Sequence, residues 1–380
     1  MKRTGFVIAA LGFLFFAQTA WADWTPAKRL TWTTADTHSP ALAVDSGDGL
    51  HVVWHDNTAG NNEVYYRRST NGGTSWGSVK RLTWNSGNSQ GVSIAVDAGD
   101  AIHVVWYDAT PGRFQVYYRK SPDTGITWGA TRQLADTTGV SYTPAIAADP
   151  DGTLHIVWSD NTPGNKEIYH MRSLNGGATW SAAKRLTWTS GESAYSAMDA
   201  TNGVHVVWGD DTPGNHEIYY RRTTDGGITW GAVKRLTWTS DPAFYPAVAV
   251  DSGSAIHVTW SESPGALSEI LYKRSTNGGV TWNAVKRLTW TSGYSRGPAV
   301  AVDANDDVHI VWDDDTPGNK EVYYRQSPAG GTTWGAVKRL TWTAGDSSSA
   351  AMAVDSSHTI HIVWHDDTPG NFEIYYKRGT

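Results

Sequence analysis

The chain has 380 residues, including 21 Trp, 17 Tyr and 39 Gly, but no Cys. Its 31 Lys+Arg against 37 Asp+Glu leave a formal charge of −6. The aromatic content excludes a disordered chain, the acidic balance excludes a nucleic-acid binder working through a general positive field, and the lack of Cys excludes disulfides, thiolate zinc sites and a Cys nucleophile.

In chain order, Met1-Lys2-Arg3, the apolar run 5–16 and Ala20-Trp21-Ala22 supply the three parts of a secretory signal peptide, cleaved before Asp23. The apolar run is too short to span a bilayer, and no other stretch could span one. Residues 1–22 are therefore expected to be removed. Residues 23–380 are expected to be a single secreted or periplasmic domain, monomeric and without a membrane span.

Two strings then repeat. His-(Val/Ile)-(Val/Thr)-Trp ends at Trp54, Trp106, Trp158, Trp208, Trp260, Trp312 and Trp364. Lys-Arg-Leu-Thr-Trp starts at Lys28, Lys80, Lys184, Lys234, Lys286 and Lys338, with a degenerate copy at Arg132-Gln133-Leu134-Ala135-Asp136. A period near fifty marks a propeller or solenoid. Twenty of the 21 Trp fall at three fixed places in this repeat, and the other is Trp21.

One unit reads as four short strands. In the sixth unit these are 298–303, 308–313, 321–327 and 334–341, separated by turn residues such as Thr316-Pro317-Gly318-Asn319. β-branched and aromatic residues fill the strands, and no stretch keeps a 3.6 period. The predicted fold is all-β: a seven-bladed β-propeller of four-stranded antiparallel blades. The seventh copy stops before its fourth strand, and 23–30 matches that missing strand. The N-terminal strand should therefore close the last blade and pair two exposed edges.

The turn between third and fourth strands carries a further motif. It reads Ser121-Pro122-Asp123-Thr124-Gly125-Ile126-Thr127-Trp128 in one copy and Thr223-Thr224-Asp225-Gly226-Gly227-Ile228-Thr229-Trp230 in another. Asn replaces the Asp at Asn71, Asn175 and Asn277, and Ala replaces it at Ala329. This resembles the Asp-box, or bacterial neuraminidase repeat, of sialidase-like propellers, and the resemblance covers the whole of 23–380. It implies the propeller fold, with Asp-boxes on the face opposite the active site.

Sialidases of that superfamily use three arginines, a Tyr–Glu nucleophile pair and an Asp general acid on a six-bladed ring. This chain has seven units and no Phe/Tyr-Arg-Ile-Pro motif, and its Glu–Tyr pairs, such as Glu217 with Tyr219 and Glu321 with Tyr323, recur blade after blade. A catalytic residue has to be singular on a ring with one axis. Seven-bladed Asp-box propellers also occur among xyloglucan-cleaving enzymes and non-catalytic assembly factors, so the fold does not assign function.

Recurring polar residues are expected to be scaffold. An acid follows each second-strand Trp at Asp56, Asp108, Asp160, Asp210, Glu262, Asp314 and Asp366; Glu63, Gln115, Glu167, Glu217, Glu269, Glu321 and Glu373 follow the next turn. Each Asp is expected to cap its turn and each Glu to pair with a cation across strands. Calcium is the ligand such loops would suit, but six oxygens are not evident in any one loop. The His residues come one per blade, without the convergence a metal needs. No cofactor and no metal site are expected.

Function should lie where the copies differ. Six residues past the Trp of Lys-Arg-Leu-Thr-Trp stand His38, Gln90, Tyr142, Ala194, Phe244, Arg296 and Ser348, at the predicted entry to each innermost strand. Phe244 with Tyr245, Tyr294 with Arg296, and Arg113 with Phe114 add aromatic and guanidinium groups on the same face, which suits a sugar ring, a carboxylate or a peptide. The expected function is non-catalytic binding of a glycan or an extracellular protein through that axial face. One alternative is a sialidase-like glycoside hydrolase, for which Asp36, Glu192 and Asp241 are the candidate acids. Another is a structural assembly factor.

Overall fold

In a computed structural model, the structure describes residues 23–265, 267–328 and 330–380. The expected signal peptide lies outside these residues. Among them, 28 strands form seven four-stranded antiparallel sheets. Blade 1 is Thr37–Val44, Leu50–Asp56, Glu63–Ser69 and Lys80–Arg81, from the axis outward. All of Leu50–Asp56 is buried, because neighbouring blades cover both of its faces. Such strands read as continuous apolar runs rather than as alternation.

Two boundaries differ from the sequence reading. The first strand of blade 6 is Ser295–Val302, starting before residue 298, and its fourth strand keeps ladder pairing only at Lys338–Arg339. The early start comes from a bulge. Arg296 pairs with Asp313, but the register shifts before Ala299. The short outer strand leaves little exposed edge for another chain to join.

The ring closes as the complementary ends imply. Lys28–Arg29 pairs with Glu373–Gly379, matching Lys28 with Tyr376 and Arg29 with Tyr375. The Leu30 amide donates to the Ile374 carbonyl at 2.7 Å, and the Leu30 side chain is fully buried.

A repeated lock joins each blade to the next. His103 Nδ1 lies 2.8 Å from the Tyr118 hydroxyl and His103 Nε2 lies 2.9 Å from Asp97 Oδ2. Tyr118 in turn packs under the Asp-box of the next blade, edge-on to Trp180 at 5.2 Å. There Gly177 has a φ of 82°, and a Cβ at this position would run into the Tyr118 ring. The Asp-box is held by its own side chains: Asp123 accepts the Thr127 amide at 2.7 Å and Ser121 Oγ accepts the Gly125 amide at 2.8 Å.

Closure makes two substitutions costly. Leu30→Ala should destabilise the fold by roughly 2–5 kcal/mol, as for other buried Leu truncations. Gly177→Ala should also destabilise it, because the position combines positive φ with a filled site. Urea unfolding checks both, and wild-type midpoints would contradict the closure described.

Candidate functional site

The axial residues stand where the sequence reading places them, and the structure adds their surroundings. His38, Gln90, Tyr142, Ala194, Phe244, Arg296 and Ser348 each occupy the second position of an innermost strand. Each pairs with the residue just after a buried Trp: His55, Tyr107, Ser159, Gly209, Ser261, Asp313 and His365. The next residue is left-handed in all seven blades, at Ser39, Gly91, Thr143, Tyr195, Tyr245, Gly297 and Ser349, with φ from 45° to 62°. A bulge with positive φ re-aims side chains at the mouth of a strand. Holding a β-branched Thr143 there costs about 1–3 kcal/mol, a strain typical of functional sites.

An aromatic arc runs over blades 2 to 5. Tyr107 lies 4.9 Å from Phe114, and both lie 6.0 Å from Tyr142. A cavity of about 380 Å³ follows, with Tyr142, Lys166, Glu192, Tyr195 and His216 among its lining residues. Lys166 Nζ sits 5.8 Å above the Tyr142 ring and bonds Glu192 Oε2 at 2.7 Å. Tyr195 continues the arc edge-on to Tyr245 at 5.1 Å, while His216 meets Phe244 at 4.7 Å.

Blade 6 supplies charge at the end of the arc. The Arg296 guanidinium lies 4.4 Å over the Tyr294 ring, beside its strand partner Asp313. Asp313 is 7% exposed, and burial pushes its carboxyl from the ordinary 3.8 up to about 7, despite the opposing Lys320 and Arg296 charges. Other blades have His, Tyr, Ser or Gly at this position, so Asp313 is a singular acid.

Blades 7 and 1 complete the face with three histidines. The His38 ring is 5.1 Å from His365 and 5.7 Å from His55. His365 Nδ1 accepts the Ser39 amide at 3.3 Å, and His365 Nε2 lies 2.8 Å from Ser348 Oγ. Burial lowers His55 to about 4 and His365 to about 3, with neighbouring His rings adding to both shifts. These rings are neutral at pH 7.

The remaining candidates do not converge. Arg113 Nε donates to the Thr137 carbonyl at 2.9 Å beside exposed Asp136, on a different blade from Arg296. Asp36 Oδ1 accepts the Phe372 amide at 3.0 Å, and Asp346 stands at the corresponding place between blades 6 and 7, accepting the Lys320 amide at 2.9 Å. Glu192 is held by Lys166, and the Asp241 carbonyl accepts from Asn215 at 3.2 Å. Asp36, Glu192 and Asp241 thus lie at three different blade junctions.

The recurring acids are engaged internally. Asp108 Oδ1 takes the Thr110 amide at 2.8 Å, Asp108 Oδ2 takes the Ser89 hydroxyl at 2.6 Å, and Glu63 takes Arg81 at 2.9 Å. Among the described residues, no three His, Asp or Glu side chains are grouped to hold a metal ion.

Asp313, His55 and His365 escaped the sequence reading, although the same comparison of copies exposes them. The residue after the second-strand Trp also varies, with five residue types among seven blades. Its significance depends on the bulge that brings both positions to one surface.

The titrations have opposite signs. Between pH 3.8 and about 7 the folded chain keeps a proton on Asp313 that the unfolded chain releases, so the Asp313 contribution falls as pH rises. Asp313→Asn should therefore raise the melting temperature relative to wild type more at pH 8 than at pH 4. His55 and His365 stay neutral in the fold below their ordinary 6.5, so their contribution is full above 6.5 and is lost as pH falls toward 4 and 3. A His55→Gln, His365→Gln double variant should flatten that acid limb in melting curves. A limb unchanged by the substitutions would contradict the buried neutral cluster.

A family profile described as "BNR repeat-like domain" matches residues 20–258. No curated protein matches the sequence. Among solved structures the fold is similar to a protein of unknown function from Dyadobacter fermentans, with 14% identity, 78% of this chain and 96% of that one covered, and a TM-score of 0.60. It is also similar to a PL25 ulvan lyase bound to -[GlcA(1-4)Rha3S]-, with 10% identity, coverage of 92% and 95%, and a TM-score of 0.65. A third is the NanB sialidase of Streptococcus pneumoniae, with 12% identity, coverage of 92% and 70%, and a TM-score of 0.51. At such identities the likeness is one of fold.

Proposed function

The chain belongs to the BNR repeat-like domain family, and on that premise we propose that it is an exported, non-catalytic propeller that binds glycans through its axial face. The observation that carries this reading is the aromatic arc from Tyr107 to Tyr245, ending at Arg296. Sugar rings present C–H faces to aromatic rings and hydroxyls to Arg, Lys and Glu. The cavity beside Tyr142 and Tyr195 offers both surfaces within about 380 Å³. Polysaccharide lyases and sialidases among the similar folds agree with a glycan ligand.

The acids favour binding over hydrolysis. A two-carboxylate glycosidase needs a second carboxyl about 5–10 Å from the first. The acid acting on Asp313 is Asp314, which is engaged by Ser295 at 2.6 Å and by the Thr316 amide at 2.9 Å. A hydrolase reading draws its support from Asp313 itself, since a carboxyl titrating near 7 can serve as a general acid. Turnover of a fluorogenic glycoside panel, abolished by Asp313→Asn, would establish that reading instead.

The test is a glycan array on wild type and a Phe244→Ala, Arg296→Ala double variant. Loss of the half-buried Phe244 ring and the exposed Arg296 guanidinium should weaken binding at least tenfold while leaving the fold intact. EDTA should leave binding unchanged, because the face works without a metal. Undiminished binding by the double variant would remove this site.

A further inference from the structure

Two of the three Trp series are used by the scaffold, and the third is not. Trp54 and its six counterparts are at most 1% exposed, while the Asp-box Trp pack edge-on to a Tyr ring, as Trp76 does on Tyr376 at 5.1 Å, or, at Trp230, to His170 at 5.0 Å. The Trp that end Lys-Arg-Leu-Thr-Trp behave differently. Trp32, Trp84, Trp188, Trp238, Trp290 and Trp342 are 64–68% exposed, one after each outermost strand except that of blade 2. Single exposed aromatics are ordinary, but six in the same environment are a repeated feature of the rim.

Beside Trp32 a groove of about 290 Å³ lies between blades 7 and 1, with Trp54, Asp56, Thr58 and Tyr65 on the blade 1 side. Its wall holds an unused donor. Trp54 Nε1 is buried and has no acceptor. Where the equivalent N–H is satisfied, it reaches the acid two residues on: Trp106 donates to Asp108 at 3.2 Å and Trp260 to Glu262 at 2.7 Å. The Trp54 N–H is therefore aimed along the Asp56 side of the groove. A buried donor without an acceptor is unfavourable, and a ligand oxygen would relieve it.

The same set recurs at three more junctions. Trp208, Trp312 and Trp364 also carry buried, unpartnered N–H groups, each on the blade that follows an exposed Trp188, Trp290 or Trp342 around the ring. Tyr219, Tyr323 and Tyr375 stack on these buried indoles as Tyr65 does on Trp54. The other three junctions are each deficient. Blade 2 ends in Asp136 instead of Trp, Trp106 has its acceptor, and Leu271 replaces the stacking Tyr while Trp260 is satisfied.

We propose that the rim carries four equivalent subsites for neutral pyranose rings, at Trp32, Trp188, Trp290 and Trp342, separate from the axial face. Trp32 is 68% exposed, with the Arg29 and Arg67 guanidiniums each 5.8 Å from its ring centroid, and the wall offers an N–H donor, an acid and the Thr58 hydroxyl. A sugar hydroxyl both donates and accepts, and so matches that mixture. A proline-rich peptide also docks on aromatic grooves, but its backbone carbonyls only accept. The nearby cations are already committed: Arg29 binds Glu373 at 2.7 Å and the Thr31 carbonyl at 2.7 Å, and Arg67 binds the carbonyls of Leu30 and Gly77. An anionic ligand therefore gains little here. Four copies on one rigid ring make the chain multivalent toward polysaccharide.

The test uses the full chain labelled with 5-fluorotryptophan. Titration with methyl pyranosides of neutral hexoses, deoxyhexoses and pentoses should shift the fluorine signals of Trp32, Trp188, Trp290 and Trp342, and leave those of Trp84 and Trp238 in place. On immobilised galactomannan, β-glucan and xylan, the wild type should bind at least one surface. Replacing the four Trp by Ala should lower avidity about a hundredfold, since linked sites commonly gain 10²–10⁴. The four indoles are exposed, so the variant should keep its melting temperature. The Phe244→Ala, Arg296→Ala variant should keep the fluorine shifts of the four rim Trp, which separates rim from axial face. No fluorine shift with any sugar, a response only to a polyproline peptide, or full avidity in the fourfold variant would overturn the proposal.

Discussion

Each blade of this protein buries its second strand against both neighbours, and that arrangement is satisfied only if the ring closes. An open stack would leave the wall of one terminal blade, with its indole, facing water. Closure through 28–30 removes both ends at once, and it explains how a chain without disulfides holds so much aromatic surface. The His–Tyr–Asp-box lock repeats the same logic between blades. Tyr118 fixes His103 in its own sheet and fills the space above Gly177 in the next. Neither blade is complete without the other.

Symmetry also sorts the residues by role. Recurring polar residues are bound into the scaffold, as the pairing of Glu63 with Arg81, repeated in six blades, shows. Whatever varies is collected by topology at the axis, because connections and second-to-third turns share one face. The left-handed bulge sharpens this. It lifts one varied residue per blade out of the ladder, whether that residue is Gly91 or Tyr245. The scaffold thus spends local strain to present a surface that differs in every sector: aromatic over blades 2 to 5, charged at blade 6, and neutral imidazole at blades 7 and 1.

The fold was legible because repetition multiplies a weak signal. One copy of His-Val-Val-Trp says little, but seven in register fix blade number, strand order and closure. The axial positions were legible for the inverse reason, as differences against a constant background. Three things were not legible. The bulge follows from pairing across strands, so nothing local to Ser39 or Thr143 announces it. The shift of Asp313 arises from burial, which a sequence position does not state. The exposure of Trp32 and its counterparts depends on how short the outer strand is, and a strand of two residues leaves that indole 68% exposed.

The central claim is that the axial arc is the glycan-binding surface. The most direct measurement is a crystal structure of the full chain with an oligosaccharide selected on the array. The account predicts a sugar ring against Tyr195 and Tyr245 with Arg296 within hydrogen-bonding distance of its substituents. A ligand seated only on the Asp-box face, with the arc empty at saturating sugar, would contradict it.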